Sequence, residues 1–378
     1  MRVGLLTLHA STNYGAFLQA YALSETIQKM GNDVTFINYL HKYRQNTVAF
    51  SFPKYNSEQS ILQNAMKILY RLASQALNYH QLSRFLKYLN ESRLQNINVT
   101  KTTYHSFSDL KEAKETFDIY IAGSDQIWGF QLFGGEFDPV FFLSYLPKTA
   151  KTYTYAASMG RVAPPKELVD SFKEYSKNLN IISVRECSVL PFVRENSGKE
   201  VYCVLDPTLL LTTEEWSGFE KVPPKKHGRY LLSFSLRGDE TYFKKVKKIA
   251  RKSALEVVWI HNTGVFCKYF VKHNYVRPEE FVWYFANAEA VITDSFHGTM
   301  FSIINRKPFY SVAPYPQSVR IEDHLKRLGL LDRLYDSAEK LPDTVTEIDY
   351  TKPCEKLEEW RQKSFAYLDM ITKPDDEQ

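Results

Sequence analysis

Long hydrophobic runs are missing from this 378-residue chain. No stretch approaches the ~20 apolar residues that a membrane-spanning helix needs. Cysteine is scarce: the four thiols, Cys187, Cys203, Cys267 and Cys354, form no CxxC pair and no metal-ligand spacing. That excludes a disulfide-stapled scaffold and makes a reducing compartment the simple expectation. Charge of one sign is also lacking. Lys and Arg number 48 against 43 Asp and Glu, a net +5 that is too small and too dispersed for a nucleic-acid binder. No GxGxxG fingerprint, solenoid repeat or low-complexity segment is present. The apolar run Val3 to Leu8 is short and ends in polar His9, Ser11 and Asn13. A first strand is expected there rather than a secretory leader, and a cytoplasmic location follows as an expectation.

What is present is the composition of a globular protein, 44% hydrophobic and 24% charged, at a length suited to two domains. Aromatic residues stand out at 15%, and such rings serve equally to thicken cores and to line sugar pockets.

The order of apolar runs reads as two doubly wound α/β halves. RVGLLTL has the continuous pattern of a strand buried on both faces, followed by the loop HASTNYG, a helix over about 16–30 with Gly31 at its C-terminal end, and the strand VTFINY. DIYIAGSDQ, TYTYAAS, IISVRE and VYCVLDP continue the alternation. A second series follows in YLLSFSL, EVVWIH, AVITDS and KPFYSVA. The expected architecture is two Rossmann-like domains. The first spans 1–212 with a helical insertion at about 57–95, and the second spans 229–350 after a linker at 213–228. A C-terminal helix and tail occupy 351–378. The insertion carries an apolar stripe (Leu62, Ala65, Met66, Leu69, Leu72, Ala73, Ala76, Leu77) and five basic residues against one acidic between Ile61 and Leu94. It reads as a helix packed on its own domain or as a peripheral contact with the inner membrane face. The basic run Lys244 to Lys252 has Val246, Ile249 and Ala250 at helical spacing, the pattern of a solvated amphipathic face.

In parallel sheets, ligands gather beyond the carboxyl ends of strands, so the strand-end clusters carry the candidate chemistry. In AVITDSFHGT a strand ends at Asp294, a turn presents Ser295, His297 and Gly298, and a helix begins near Thr299. A helix start offers N–H groups to an anion, and an imidazole there suits acid–base work. Arg185 and Glu186 end another strand, as an anion clamp or as a plain ion pair. Asp125, Gln126 and Trp128 after Gly123–Ser124 suit sugar hydroxyls and a sugar face. STNYGA is a weaker loop, and Asp206 before Pro207 reads as a turn.

The set STNYGAFLQAYAL, DIYIAGSDQIW, YAASMG, ISVRE, LDPTLLL, ITDSFHGTMFSIINRKPF and RIEDHLKRLGL, in this order, resembles the polysaccharide pyruvyltransferase family from about residue 3 to 331. The resemblance implies a GT-B-like fold, phosphoenolpyruvate as donor and a sugar of a polysaccharide or lipid-linked oligosaccharide as acceptor, joined as a pyruvate ketal. It associates Arg185 and His297 with the donor. Some members carry Arg-Leu-His where this chain has Ser295-Phe296-His297, leaving Arg320 or Lys307 to supply the missing charge. The full expected set is His297, Glu186 and Asp125 for catalysis; Arg185, Ser295, His297, Gly298, Thr299 and Asn13 for the donor; and Asp125, Gln126, Trp128 and Tyr14 for the acceptor. No cofactor, metal or nucleic acid is expected. A GT-B glycosyltransferase with a nucleotide-sugar donor and a non-catalytic sugar-binding protein remain alternatives.

Overall fold

The computed structural model describes residues 1–41, 60–225, 227–261, 275–314 and 318–373. Positions 57–59 of the expected insertion, Lys226 of the expected linker and the end of the tail lie outside the described residues. So do the side chains of Lys67, Arg71, Ala73, Ala76 and Leu77.

In the first half the chain runs β1 (Arg2–Leu6), α1 (Tyr14–Lys29), β2 (Asp33–Phe36), α2 (Ile61–Asn96), α3 (Phe107–Lys111), β3 (Ile119–Ala122), β4 (Thr152–Thr154), α4 (Val169–Ser176), β5 (Ile182–Val184), α5 (Leu190–Ser197) and β6 (Val201–Cys203). The short α6 (Thr213–Ser217) leads into the second half. There follow β7 (Tyr230–Ser235), α7 (Glu240–Lys252), β8 (Glu256–His261), α8 (Pro278–Ala286), β9 (Ala290–Thr293), α9 (Phe296–Ile304), β10 (Phe309–Val312), α10 (Val319–Leu328), β11 (Leu334–Tyr335) and α11 (Thr351–Thr372).

Both sheets are parallel. The first has the order β2-β1-β3-β4 and is extended toward the β5-β6 pair by the bridges Tyr153–Ile181 and Ala157–Val184. The second has the order β11-β10-β9-β7-β8. In each sheet the first strand is internal, so the winding reverses beside it, between β1 and β3 and again between β7 and β9. A crevice for ligand belongs at such a reversal. The sequence explains the layering: β1, β3, β7 and β9 are apolar on both faces because helices cover both.

One apolar core runs through both halves, joining Val3, Phe17 and Trp216 with Phe234, Phe281 and Phe301. Helix α11 returns to the first half. There the Leu205 N–H donates to Ser364 Oγ (2.9 Å) and the Tyr367 hydroxyl to the Thr154 carbonyl (2.7 Å). The C-terminal half of α2 packs through Phe85 and Leu89, with Phe85 5.0 Å from Tyr14 between ring centroids. Near its N-terminal end Asn64 is buried, but the apolar Ile61, Leu62, Met66 and Leu69 are 79%, 70%, 62% and 67% exposed. Helix α7 buries Val246, Ile249 and Ala250 and turns its lysines outward, three of which (Lys245, Lys248, Lys252) converge on Asp343.

The cysteine expectation needs correction. Cys187 and Cys203 form a disulfide, with Cα atoms 5.4 Å apart. Sixteen positions separate them, a spacing with no signature, but the parallel neighbours β5 and β6 bring their carboxyl ends together.

Candidate active site

The carboxyl ends of the two sheets face each other, and the polar strand-end residues meet there. Asn13 caps α1, accepting from the Gly15 N–H (2.9 Å). Gly15 is required at this point, because a Cβ would land on Nδ1 of His297, which reaches over from the second half. Ser295 caps α9 in the same manner, its Oγ facing the Gly298 N–H at 3.4 Å. A Cβ at Gly298 would strike Thr293 Oγ1, so this glycine lets the turn close against β9. Two helix starts, one from each half, therefore present His297 at the junction.

Beneath the ring lies a buried ionic array. Arg185, Glu186, Asp206 and Ser158 are all 0% exposed. Arg185 donates from Nη1 to Asp206 Oδ2 (2.9 Å), from Nε to Glu186 Oε1 (3.1 Å) and from Nη2 to Ser158 Oγ (3.0 Å). Asp125 Oδ1 lies 3.8 Å from Nη1. Ser158 in turn donates to Glu186 Oε1 (2.6 Å). Asp206 Oδ1 takes the Thr208 N–H (3.0 Å) and hydroxyl (2.7 Å), while Oδ2 faces His297 Nε2 at 3.5 Å, within ion-pair range but too long for a hydrogen bond.

Burial alone would raise the Asp206 carboxyl; the facing His297 ring, Arg185 and Thr208 outweigh it and hold the group well below the usual carboxylate range. Burial likewise opposes the charge on Arg185, but its three carboxylate neighbours keep the guanidinium ionised. At this site, among the described residues, His297 Nε2 and Glu186 Oε2 are buried and make no hydrogen bond, although Asp206 faces the former at 3.5 Å. Above the array the Phe296 ring is shared by two guanidinium groups, Arg185 at 4.3 Å and Arg320 at 5.6 Å from its centroid.

The structure thus brings together Asn13, Asp125, Arg185, Glu186, Ser295 and His297. Gln126 stands half-buried beside Gly160, next to this group. The other expected contacts are placed differently. Trp128 is fully buried, stacked on Phe142 (5.0 Å) with Phe172 at its edge, and offers no face to a sugar. Tyr14 is also core, stacked on Phe281 (4.6 Å), with its hydroxyl donating to the Val276 carbonyl. Thr299 spends its hydroxyl on the Ser295 carbonyl and Ser311. Asp294 holds the Leu236 and Arg237 N–H groups and the Ser235 hydroxyl. Of the two cations named as substitutes, Arg320 is at the junction, whereas Lys307 precedes β10 at the opposite end of the sheet. Asp206 and Ser158 are the residues that sequence reasoning missed. Their signal was their place at the ends of VYCVLDP and TYTYAAS, where Arg185 and Asp125 also lie relative to their own strands.

A sequence model of the family described as polysaccharide pyruvyl transferase matches residues 13–314. The chain belongs to that family. The match takes in every residue of the array just described except Arg320. No curated protein matches the chain. Among solved structures, a putative UDP-N-acetylglucosamine 2-epimerase from Listeria monocytogenes shares 8% identity over 98% of this chain and 90% of that one, at a TM-score of 0.47. The UDP-GlcNAc 2-epimerase of Methanocaldococcus jannaschii shares 11% over 99% and 94%, at 0.46. The glycosyltransferase SnogD from Streptomyces nogalater shares 13% over 97% and 95%, at 0.39. As a family member the chain is a polysaccharide pyruvyl transferase by class, built on an α/β fold. No helix among the described residues is long and apolar enough to cross a membrane.

Proposed function

We propose that this protein moves the pyruvyl group of phosphoenolpyruvate onto two hydroxyls of a sugar, in a polysaccharide or a lipid-linked precursor, closing a pyruvate ketal. One observation carries the reading: a histidine nitrogen and a glutamate oxygen that are buried without a hydrogen bond meet at one ionic array, beside Arg320, which no carboxylate pairs among the described residues. A small polyanionic donor needs such a place, with cationic charge and one acid and one base but no large pocket.

In this scheme a protein acid protonates the methylene carbon of the donor. A sugar hydroxyl attacks the central carbon and loses its proton to a base, the bond to the phosphate oxygen breaks, and a second hydroxyl closes the ring. Of the two hydroxyl protons released, one replaces the proton given to the methylene carbon and the other leaves on phosphate. His297 is the first candidate for one proton-transfer role, and Glu186 or Asp125 for the other.

The nucleotide-sugar alternative would use the crevice at the carboxyl end of the second sheet. That crevice, about 340 Å³, is lined by Arg237 but also by Asp239, Asp294, Asp336 and Glu339. Such a lining repels a diphosphate, which favours the phosphoenolpyruvate reading. The exposed apolar end of α2, on a segment rich in Lys and Arg, supports a peripheral contact with an anionic membrane surface, where a lipid-linked acceptor would be met at the cytoplasmic face.

The test is turnover: phosphate release from phosphoenolpyruvate with a panel of sugar acceptors, wild type beside His297→Ala. Loss of ~10²-fold or more in the variant is expected. Near-normal turnover in His297→Ala, or no release from the wild type with any acceptor, would sink the assignment.

A further inference from the structure

Arginine at a strand end is the natural anchor for an anionic substrate, and Arg185 has that position. Its environment argues otherwise. The side chain is wholly buried, and Asp206, Glu186 and Ser158 occupy all three sides of the guanidinium, with Asp125 behind. Two carboxylates within hydrogen-bond distance more than neutralise its charge. A phosphate approaching it would have to displace those buried anions or sit beside them, and either is costly in a low-dielectric interior.

Arg320 has the opposite character. It projects from the first turn of α10, half-buried, with its guanidinium 5.6 Å from the centroid of the Phe296 ring. Among the described residues no carboxylate lies within ion-pair distance of it and no acceptor takes its N–H groups. Burial, and next the charge of Arg185, push its pKa down to about 10; Glu186 and Asp125 act in the other direction without reaching it, and Arg237 adds to the repulsion. Two guanidinium groups on one aromatic ring are thus poised to gain an anion between them and the solvent. The start of α9 adds to this, since the Phe296 and His297 N–H groups precede the first intrahelical acceptor and the positive end of the helix lies there. Glu186 Oε2, buried without a hydrogen bond among the described residues, is an independent sign that a polar ligand completes this spot, and His297 Nε2, with Asp206 only at 3.5 Å, has room to donate to it.

We propose that Arg320 is the side chain that binds the phosphomonoester dianion of the substrate, and that Arg185 is a positioning residue holding Asp206 and Glu186 in place. The assignment of the phosphate to a donor rests on the reading above, but the anion site itself does not. The charge comes from α10, 25 positions after Ser295 in the sequence, beside the same phenylalanine that Arg185 contacts.

The two arginines should separate cleanly in one experiment, calorimetric titration of the purified full chain with inorganic phosphate, phosphoenolpyruvate and pyruvate, with thermal unfolding of each variant alongside. Arg320→Gln is expected to weaken phosphate and phosphoenolpyruvate by about 10- to 100-fold, the range for a charge-assisted contact. Pyruvate, which has no phosphate, should be unaffected. Because Arg320 leaves no protein partner behind, its loss should keep or raise the melting temperature, and Arg320→Lys should recover part of the affinity. Arg185→Gln should lower the melting temperature by exposing buried carboxylates to an absent partner. Phosphate affinity within threefold of wild type in Arg320→Gln would overturn the assignment. So would a wild type that gives no phosphate binding at millimolar concentration. Phosphate binding that depends on Arg320 in a protein that never turns over phosphoenolpyruvate would uphold the anion site and refute the donor instead.

Discussion

Replacing Asp206 by Asn is the most informative single change, because Asp206 touches both Arg185 and His297. The amide is isosteric, and its carbonyl can keep the two donations from Thr208. What goes is the negative charge at Oδ2, where Arg185 donates at 2.9 Å and His297 stands at 3.5 Å. Removing one member of a buried ion pair costs ~3–5 kcal/mol when the partner is left alone. Arg185 is not left alone, since Glu186 remains at 3.1 Å, so the lower end, about 3 kcal/mol, is expected. At roughly 2 °C per kcal/mol for a chain of this size, melting should fall by about 6 °C. Turnover should fall further than stability suggests, by ~10²–10⁴-fold, because the carboxylate that faces the His297 ring is lost. The pH dependence gives a second readout. The native carboxyl is held below its ordinary range, so its stabilisation is present above the unfolded pKa near 4 and is lost as pH falls below it. The gap in melting temperature between wild type and Asp206→Asn should be constant from pH 5 to 8 and close below about pH 4. A variant that melts within a degree of wild type and turns over normally would refute the account of the array.

Three further outcomes follow from other parts of the structure. Gly15→Ala should abolish turnover about as completely as loss of the imidazole, since the new methyl group occupies the place of His297 Nδ1; a fully active Gly15→Ala enzyme would show that the ring sits elsewhere in solution. His324, between Phe296 and Trp360, has its pKa lowered to about 4 by burial and then by the charge of Arg185. The unfolded chain binds that proton below ~6.5 and the folded one only near 4, so stability should fall by about 3 kcal/mol as pH drops through that window, and His324→Gln should flatten the melting-temperature profile there. An unchanged slope would count against a buried neutral imidazole. Vesicles rich in phosphatidylglycerol should co-sediment the protein more than phosphatidylcholine vesicles do, and Leu62→Glu with Leu69→Glu should remove the difference; equal pelleting of wild type on both would dismiss the membrane contact.

The alternation of strands and helices was readable because each rests on local pattern. RVGLLTL and AVIT are continuous apolar runs, and Asn13, Ser295 and Gly31 mark helix ends by chemistry that needs only their immediate neighbours. Aromatic rings were not readable in this way. The ring that packs Trp128 against Phe142 is the same ring that would bind a sugar, and only burial tells the two uses apart. The pairing of Cys187 with Cys203 and of Arg185 with Asp206 depends on β5 lying beside β6, a fact of topology that no spacing of 16 or 21 residues encodes.

The arginines mark the same limit within the site itself. Position at a strand end says that a side chain reaches the junction, and Arg185 does reach it. Whether it then holds a ligand or holds the site together depends on what else reaches the same point, and that is decided by its neighbour Glu186 together with Asp206 and Ser158 from other strand ends. A cation already surrounded by buried carboxylates has little left to offer a phosphate, whereas Arg320, on a helix that follows the last of those strands by more than a hundred residues, retains its whole charge. The proposed division of labour between a guanidinium saturated by carboxylates and an unsaturated one beside the same phenylalanine is a property of the assembled junction, and it predicts that the two arginines have opposite effects on stability although they are alike in residue type.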